Sequence, residues 1–207
     1  MEDVLDQYEQ PYDLKHPLIC FDERPCQLID DIIVPIPMKP GKPRKRHHEY
    51  KRNGICSILI AFEPHTGKRF IKVLKHRTRV DYALFMKWLL QQYPDAEFLN
   101  IVQDNLNTHT KASFYKAFLP QEAFELSKKF EFHYTPVKGS WLNMVEIEIS
   151  ALSRQCLNRR IGDIKKMAKE VNAWVKERNR IKATVRWEFT KEKARETFHK
   201  HYHNIHN

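Results

Sequence analysis

Three acidic residues carry the chemistry this sequence could perform. Asp22 closes the apolar run "LICF", Asp104 closes "NIVQ", and Glu146 lies within "GSWLNMVEIEIS". An aspartate after an apolar strand has two readings. It can end the strand as a turn residue or cap a helix, or it can serve a ligand, because ligands gather at strand ends in α/β sheets. The 139–150 segment narrows the third position. Leu142, Val145, Ile149, Leu152 and Cys156 follow a core-facing helical stripe, with Met144, Ile147 and Ala151 on a second apolar side. Asn143, Glu146, Ser150 and Ser153 share the remaining polar strip, and Glu148 falls on its other edge. A helix buried on two sides needs a reason for a charge, which favours Glu146 over Glu148. The alternative is a Glu paired with a nearby Arg or Lys. Two Asp and one Glu, without a His/Cys cluster, form a hard oxygen-donor set of the kind that holds Mg²⁺ or Mn²⁺. Two such ions about 4 Å apart activate the attacking oxygen and stabilise the leaving one in phosphodiester chemistry.

The elements that must position these acids follow from pattern. "PLICFDE" (17–23) reads as a strand, and a Pro-rich loop follows, its Pro35, Pro37, Pro40 and Pro43 opposing regular structure. "GICSILIAFEP" (54–64), the turn "HTG" and "KRFIKVL" (68–74) read as a hairpin. Thr78 caps a helix expected to reach Tyr93, with Val80, Leu84, Trp88 and Gln91 at helical spacing. "EFLNIVQD" (97–104) reads as a buried strand. A helix over 111–128 is interrupted at Pro120, and "FEFHYTP" (130–136) is a further strand. Helices are expected over 141–158, 163–181 and 190–201. The order describes an α/β domain with a mixed sheet.

Charge indicates what such a domain would hold. The 207 residues carry a net charge of +10. Residues 39–52 contain Lys39, Lys42, Arg44, Lys45, Arg46, Lys51 and Arg52 against Glu49 alone, and 165–200 is basic too. Such stretches suit a polyanion, because Lys and Arg replace the counterions condensed on phosphates. A solvated basic face is the plain alternative. Residues 1–16 carry five acids against Lys15 and lack apolar periodicity. They read as an acidic linker or frayed end before a domain spanning 17–207. Four scattered cysteines without a CxxC pair favour free thiols in a reducing compartment. No apolar run has membrane-spanning length and no signal pattern opens the chain, so the expected location is the cytosol, with no membrane partner.

Together, "CFDE" (20–23), "VQDNLNTHT" (102–110) and "HYTPVKGSWLNMVEIEIS" (133–150) resemble the catalytic domain of mariner-superfamily DDE transposases, nearest to the bacterial insertion-sequence branch. "HEYKRNG" (48–54), "QCLNRRI" (155–161), "ERN" (177–179) and "WEFT" (187–190) extend the likeness over roughly 17–202. The resemblance implies a ribonuclease H-like fold, a mixed five-stranded sheet flanked by helices. It implies Asp22, Asp104 and Glu146 as catalytic residues binding two Mg²⁺ or Mn²⁺ ions for DNA cleavage and strand transfer in the bacterial cytosol or nucleoid. Asn105, His109 and Asn143 are candidates for supporting that site, with His109 reading as a structural hydrogen-bonding histidine rather than a proton carrier. Lys42, Arg44, Lys45, Arg46, Lys51 and Arg52, in a basic loop over 35–52, are the candidates for DNA contact. Family members carry an N-terminal helix-turn-helix region that this sequence does not match, so the expectation is the catalytic half of a split or truncated transposase. Its expected partners are DNA, a second copy of the chain and a separate helix-turn-helix polypeptide. Two other readings compete: a catalytically silent DNA-binding or assembly remnant, and a nuclease of the same fold acting on RNA–DNA hybrids.

Overall fold

The computed structural model describes residues 1–200. Five strands form one sheet: β1 (Leu18–Asp31), β2 (Tyr50–Glu63), β3 (Lys68–Leu74), β4 (Leu99–Gln103) and β5 (Phe130–Tyr134). Their order is β3-β2-β1-β4-β5. β1, β2 and β3 run antiparallel, whereas β4 and β5 lie parallel to β1. The mixed α/β sheet read from the sequence is therefore present.

β1 is longer than expected. It runs through Asp22 to Asp31, so Asp22 lies within a strand rather than at its end. β4 pairs only with Leu18, Ile19 and Cys20, while β2 accompanies β1 along nearly its whole length. Beyond Cys20 one edge of β1 is open, and there a proline such as Pro25 is tolerated. Asp22 thus stands where the parallel half of the sheet ends.

Strand alternation divides the core into two layers. Leu18, Cys20, Ile58, Ile60 and Val102 face α5 (Val145–Leu152) and α6 (Ile164–Arg180). Ile19, Phe21, Leu59, Ala61 and Ile101 face α2 (Arg79–Leu90), α3 (Phe114–Ala117) and α4 (Pro120–Ser127). Thr78 caps α2 in a reciprocal box with Asp81. The buried face of α2 is Tyr82, Ala83, Phe85, Met86 and Leu89; Val80 and Leu84, expected inside, are 40% and 51% exposed. The aromatic and Met side offers more apolar area to bury, so it wins the core.

The N-terminal segment is not a linker. α1 (Glu2–Glu9) docks through the buried Val4 and Leu5. Its acids pair with Arg195 and Lys191 of α7 (Lys191–Thr197), and Asp3 meets His133 at 3.0 Å. The acidic character that suggested solvation instead complements the basic C-terminal helix. The last expected helical residue, 201, lies outside the described residues.

The segment between β1 and β2 is exposed, but its prolines do not exclude all pairing. Ile36 bridges Lys45 and Lys39 bridges Lys42, around Gly41 at φ 71°. Lys51 and Arg52 belong to β2 instead of the loop.

The expected 141–158 helix is three pieces: a 3₁₀ turn over Ser140–Leu142, α5, and a wide π-type turn over Ser153–Leu157. Its stripe from Leu142 to Cys156 is buried as read, although Ile147 is exposed. The buried acid is Glu148, 1% exposed, and not Glu146. Arg69 Nε donates to Glu148 Oε2 at 2.6 Å and Arg178 Nη2 to Oε1 at 2.8 Å. Arg69 also donates to the carbonyls of Gly67 and Ala183. One guanidinium thereby joins β3, α5 and the chain beyond α6. Removing one partner of a buried pair strands the other, so Arg69→Met should lower stability by about 3–5 kcal/mol. Urea unfolding with an unchanged slope is the measurement, and Arg69→Met/Glu148→Leu should recover much of the loss.

Candidate active site

Asp22, Asp104 and Glu146 line one pocket of about 390 Å³, with Glu23, Arg24, Pro25, Ser140 and Ile149. Each acid comes from a different element. Asp22 falls on the same face of β1 as Leu18 and Cys20, the face covered by α5. Asp104 follows the last residue of β4, and Glu146 lies in the first turn of α5. Two larger concavities lie elsewhere, beside β5 (about 540 Å³) and between β2 and the start of α6 (about 780 Å³). Neither gathers more than one carboxylate, Glu131 in the first and Asp163 in the second.

The acids act on one another. Burial, with repulsion from Glu146 and Asp104 added, raises Asp22 to about 7, although the Glu23 backbone N–H donates to its Oδ1 at 2.7 Å. Asp104 is differently placed. Its Oδ1 lies 2.5 Å from His109 Nδ1, and His109 Nε2 lies 3.8 Å from Glu23 Oε2. Arg77 Nη1 in turn donates to Glu23 Oε1 at 2.7 Å. Burial alone would lower His109, but the Asp104 and Glu23 carboxylates outweigh it and lift the imidazole to about 9. It is therefore a cation at neutral pH, flanked by the Tyr82 ring (5.0 Å) and the edge of Phe21 (5.2 Å).

The loop that carries Asp104 is fastened from behind. Gln103 Nε2 donates to the His109 carbonyl at 2.9 Å, and the Tyr82 hydroxyl holds Gln103 Oε1 at 2.8 Å. Asn143, 1% exposed, donates from Nδ2 to the Phe21 carbonyl at 2.8 Å and ties the start of α5 to β1 beside Asp22. Asn105 is exposed and does not line the pocket. Lys42, Arg44, Lys45, Arg46, Lys51 and Arg52 are exposed and also stand outside it, Arg46 lying 3.8 Å from Asp31.

Sequence reasoning passed over Arg24 and Ser140. The signal for Arg24 was its i+2 spacing from Asp22 on a longer strand, which places both on one face. Among the described residues, no three His, Cys, Asp or Glu side chains stand close enough together to hold a metal ion as they are.

The fold resembles that of the Mos1 transposase in a paired-end complex with the left transposon end. The TM-score is 0.55 at 15% identity, over 84% of this chain and 51% of that one. A Mos1 mariner paired-end complex with Mn gives 0.49 at 14% identity, over 86% and 54%. The chain thus spans about half the length of these relatives, and the first likeness identifies the fold as ribonuclease H-like. A stretch of 70 residues, 33% of this chain, is 40% identical to nonribosomal peptide synthetase 4 of Gibberella zeae, but covers 1% of that protein. Residues 17–168, containing all three pocket acids, match the DDE superfamily endonuclease family, and the chain belongs to that family.

Proposed function

We propose that this domain, residues 17–207 with α1 docked against it, performs metal-dependent DNA cleavage and strand transfer as the catalytic part of a transposase. The motifs favour the bacterial insertion-sequence branch. The observation that carries this reading is the convergence of Asp22, Asp104 and Glu146, from β1, β4 and α5, on one pocket of a chain with net charge +10. Hard carboxylate donors suit Mg²⁺ or Mn²⁺. Burial raises Asp22 most, and the repulsion from Glu146 and Asp104 that adds to it is what a divalent cation relieves. Closing the three side chains together is the change such binding requires. The solved structure of like fold is a transposase in a paired-end complex with a transposon end, which agrees with a DNA substrate.

In this reading Asp22, Asp104 and Glu146 hold two ions. When bound, the ions supply activation of the attacking oxygen and stabilisation of the leaving oxygen at phosphorus. The chain's own groups do the rest. His109 orients Asp104 through Nδ1 and is itself held by Glu23 and the two rings, the role an outer-shell partner plays at a metal site. Arg24 is the cation lining the pocket, suited to a phosphate oxygen. The exposed Lys and Arg between β1 and β2 and on β2 contact the DNA backbone, which positions the substrate without reading sequence. End-specific reading is assigned to a helix-turn-helix segment outside this domain, and pairing of ends to a second copy. No described helix is long and apolar enough to cross a membrane, and we place the work where the DNA is, in the cytosol or nucleoid. A silent DNA-binding remnant would not require the three acids to share a pocket against their repulsion.

Asp104→Asn should reduce Mn²⁺-supported strand cleavage by at least about 10²-fold while DNA binding is kept or strengthened. Gel-resolved cleavage and binding on the same duplex test it, and full activity of the variant would sink the assignment.

The pH dependence has a definite sign. Asp22 titrates higher in the folded chain than its ordinary value, so its contribution to stability is present in acid and is lost as pH rises through about 7. The melting temperature of the metal-free chain should fall between about pH 4 and 7 and level off above. Asp22→Asn should flatten that fall by about 2–4 °C, equivalent to about 1 kcal/mol after solvent screening. Mn²⁺ should reverse the fall in the wild-type chain alone. A melting temperature independent of pH in both chains counts against the cluster.

Replacing Arg44, Lys45 and Arg46 by Ala should weaken binding to any duplex. It should also reduce the slope of log affinity against log salt by about two to three. An unchanged slope across a salt series would assign this arm another task.

A further inference from the structure

The approach to α5 contains a hydroxyl that the proposed chemistry does not use. The Tyr8 phenol, on α1, donates to the Leu142 carbonyl at 2.7 Å and accepts the Met144 N–H at 3.3 Å. It also lies 3.6 Å from Cys20 Sγ, two residues before Asp22. These contacts fall where the chain leaves its 3₁₀ turn and enters α5. The residue at the N-cap of α5 is Met144, which provides no side-chain cap, although the first N–H groups of a helix need partners. Asn143 supplies one from its own side chain, to Val145 N–H at 3.4 Å, and Tyr8 supplies another from a remote helix. The Leu142–Met144 turn is therefore held on two sides. Asn143 fastens it to the Phe21 carbonyl of β1, and Tyr8 fastens it to α1.

The phenol is itself fixed. Its ring meets Trp187 edge-on at 5.2 Å, and Trp187 Nε1 donates to the Phe189 carbonyl at 2.8 Å. Lys191 pairs with Asp6 and Glu9 on either side of it in sequence. Burial, followed by the nearby Cys20, pushes its pKa well above the ordinary tyrosine value, so the hydroxyl keeps its proton and remains a donor.

We propose that Tyr8 is a positioning residue for Glu146: its hydroxyl clamps the Leu142–Met144 turn and so sets where the first turn of α5 presents Glu146 to Asp22 and Asp104. This rests on the reading of Glu146 as a cation ligand. The docked acidic helix then belongs to the active-site scaffold, because it carries the group that completes the start of α5.

The test is Tyr8→Phe in the full chain, which removes the oxygen and keeps the ring. Mn²⁺ binding, measured with the metal alone by electron paramagnetic resonance, should weaken about tenfold, the size typical of a lost outer-shell partner. Strand cleavage should fall by a similar factor in kcat at unchanged KM for DNA, and amide exchange at 144–147 should quicken. Val4→Ala is the control for a purely structural role, since it loosens the packing of α1 and leaves the hydroxyl in place. It should lower the melting temperature but keep the Mn²⁺ affinity. Wild-type Mn²⁺ binding by Tyr8→Phe overturns the proposal, and so does an equal loss in Val4→Ala. Glu146→Gln separates the two levels. If it weakens Mn²⁺ binding while Tyr8→Phe does not, only the role of Tyr8 fails. If Glu146→Gln binds as wild type, the ligand assignment fails and the inference fails with it.

Discussion

The ion pair of Glu148 with Arg69 and Arg178 sets the rotation of α5 about its own axis. Glu146 and Glu148 are two residues apart, about 200° around a helix, so they cannot share one environment. Glu148 is drawn inward because Arg69 waits there, buried against Phe62 at 4.7 Å and anchored to two backbone carbonyls. With that acid committed, Glu146 is turned towards the open edge of β1. Gly67, at φ 69°, is part of the same arrangement. A Cβ there would stand 2.9 Å from the Ala183 carbonyl that Arg69 needs, so a glycine lets the two backbones approach.

The same economy governs the adjacent acids of β1. Asp22 and Glu23 point to opposite faces of the strand, as alternation requires. Asp22 enters the pocket under α5. Glu23 goes to the other side, where Arg77 and His109 receive it. His109 then reaches back to Asp104. Two neighbouring carboxylates thus serve one site from two faces, Asp22 under α5 and Glu23 at the pocket wall beside His109. The end of β1–β4 pairing at Cys20 makes room for this, because beyond it β4 no longer covers that edge of β1.

Charge is arranged in opposition over the molecule. The pocket gathers three acids, and their repulsion adds to the burial that raises Asp22, while the arm between β1 and β2 and the C-terminal helices are basic. A polyanion attracted to that exterior meets a local cluster that repels phosphate unless a cation intervenes. The N-terminal acids do not add to the cluster. They are neutralised by Lys191 and Arg195, which seats α1 and brings Tyr8 to the start of α5.

Much of this was legible in the chain itself. The β-branched runs, the Thr78 cap and the stripe from Leu142 to Cys156 are local patterns, and each formed because local sterics and burial act on neighbours in sequence. Asp104 was legible for the same reason, since an apolar strand announces its own end. What the sequence could not determine were properties of distant partners. Glu146 was favoured on the argument that a buried acid needs a purpose, yet the buried acid is Glu148, because Arg69 lies 79 residues away and only packing brings it near. Asp22 resembled a strand end because the apolar run stops there, and the open edge along which β1 continues past it exists only once β4 has stopped short. Acidic residues 1–16 suggested a solvated tail until the basic partners near residue 190 were placed beside them. Local pattern decides which elements form; long-range charge pairing and strand register, which no window of sequence contains, decide which side chain faces the site.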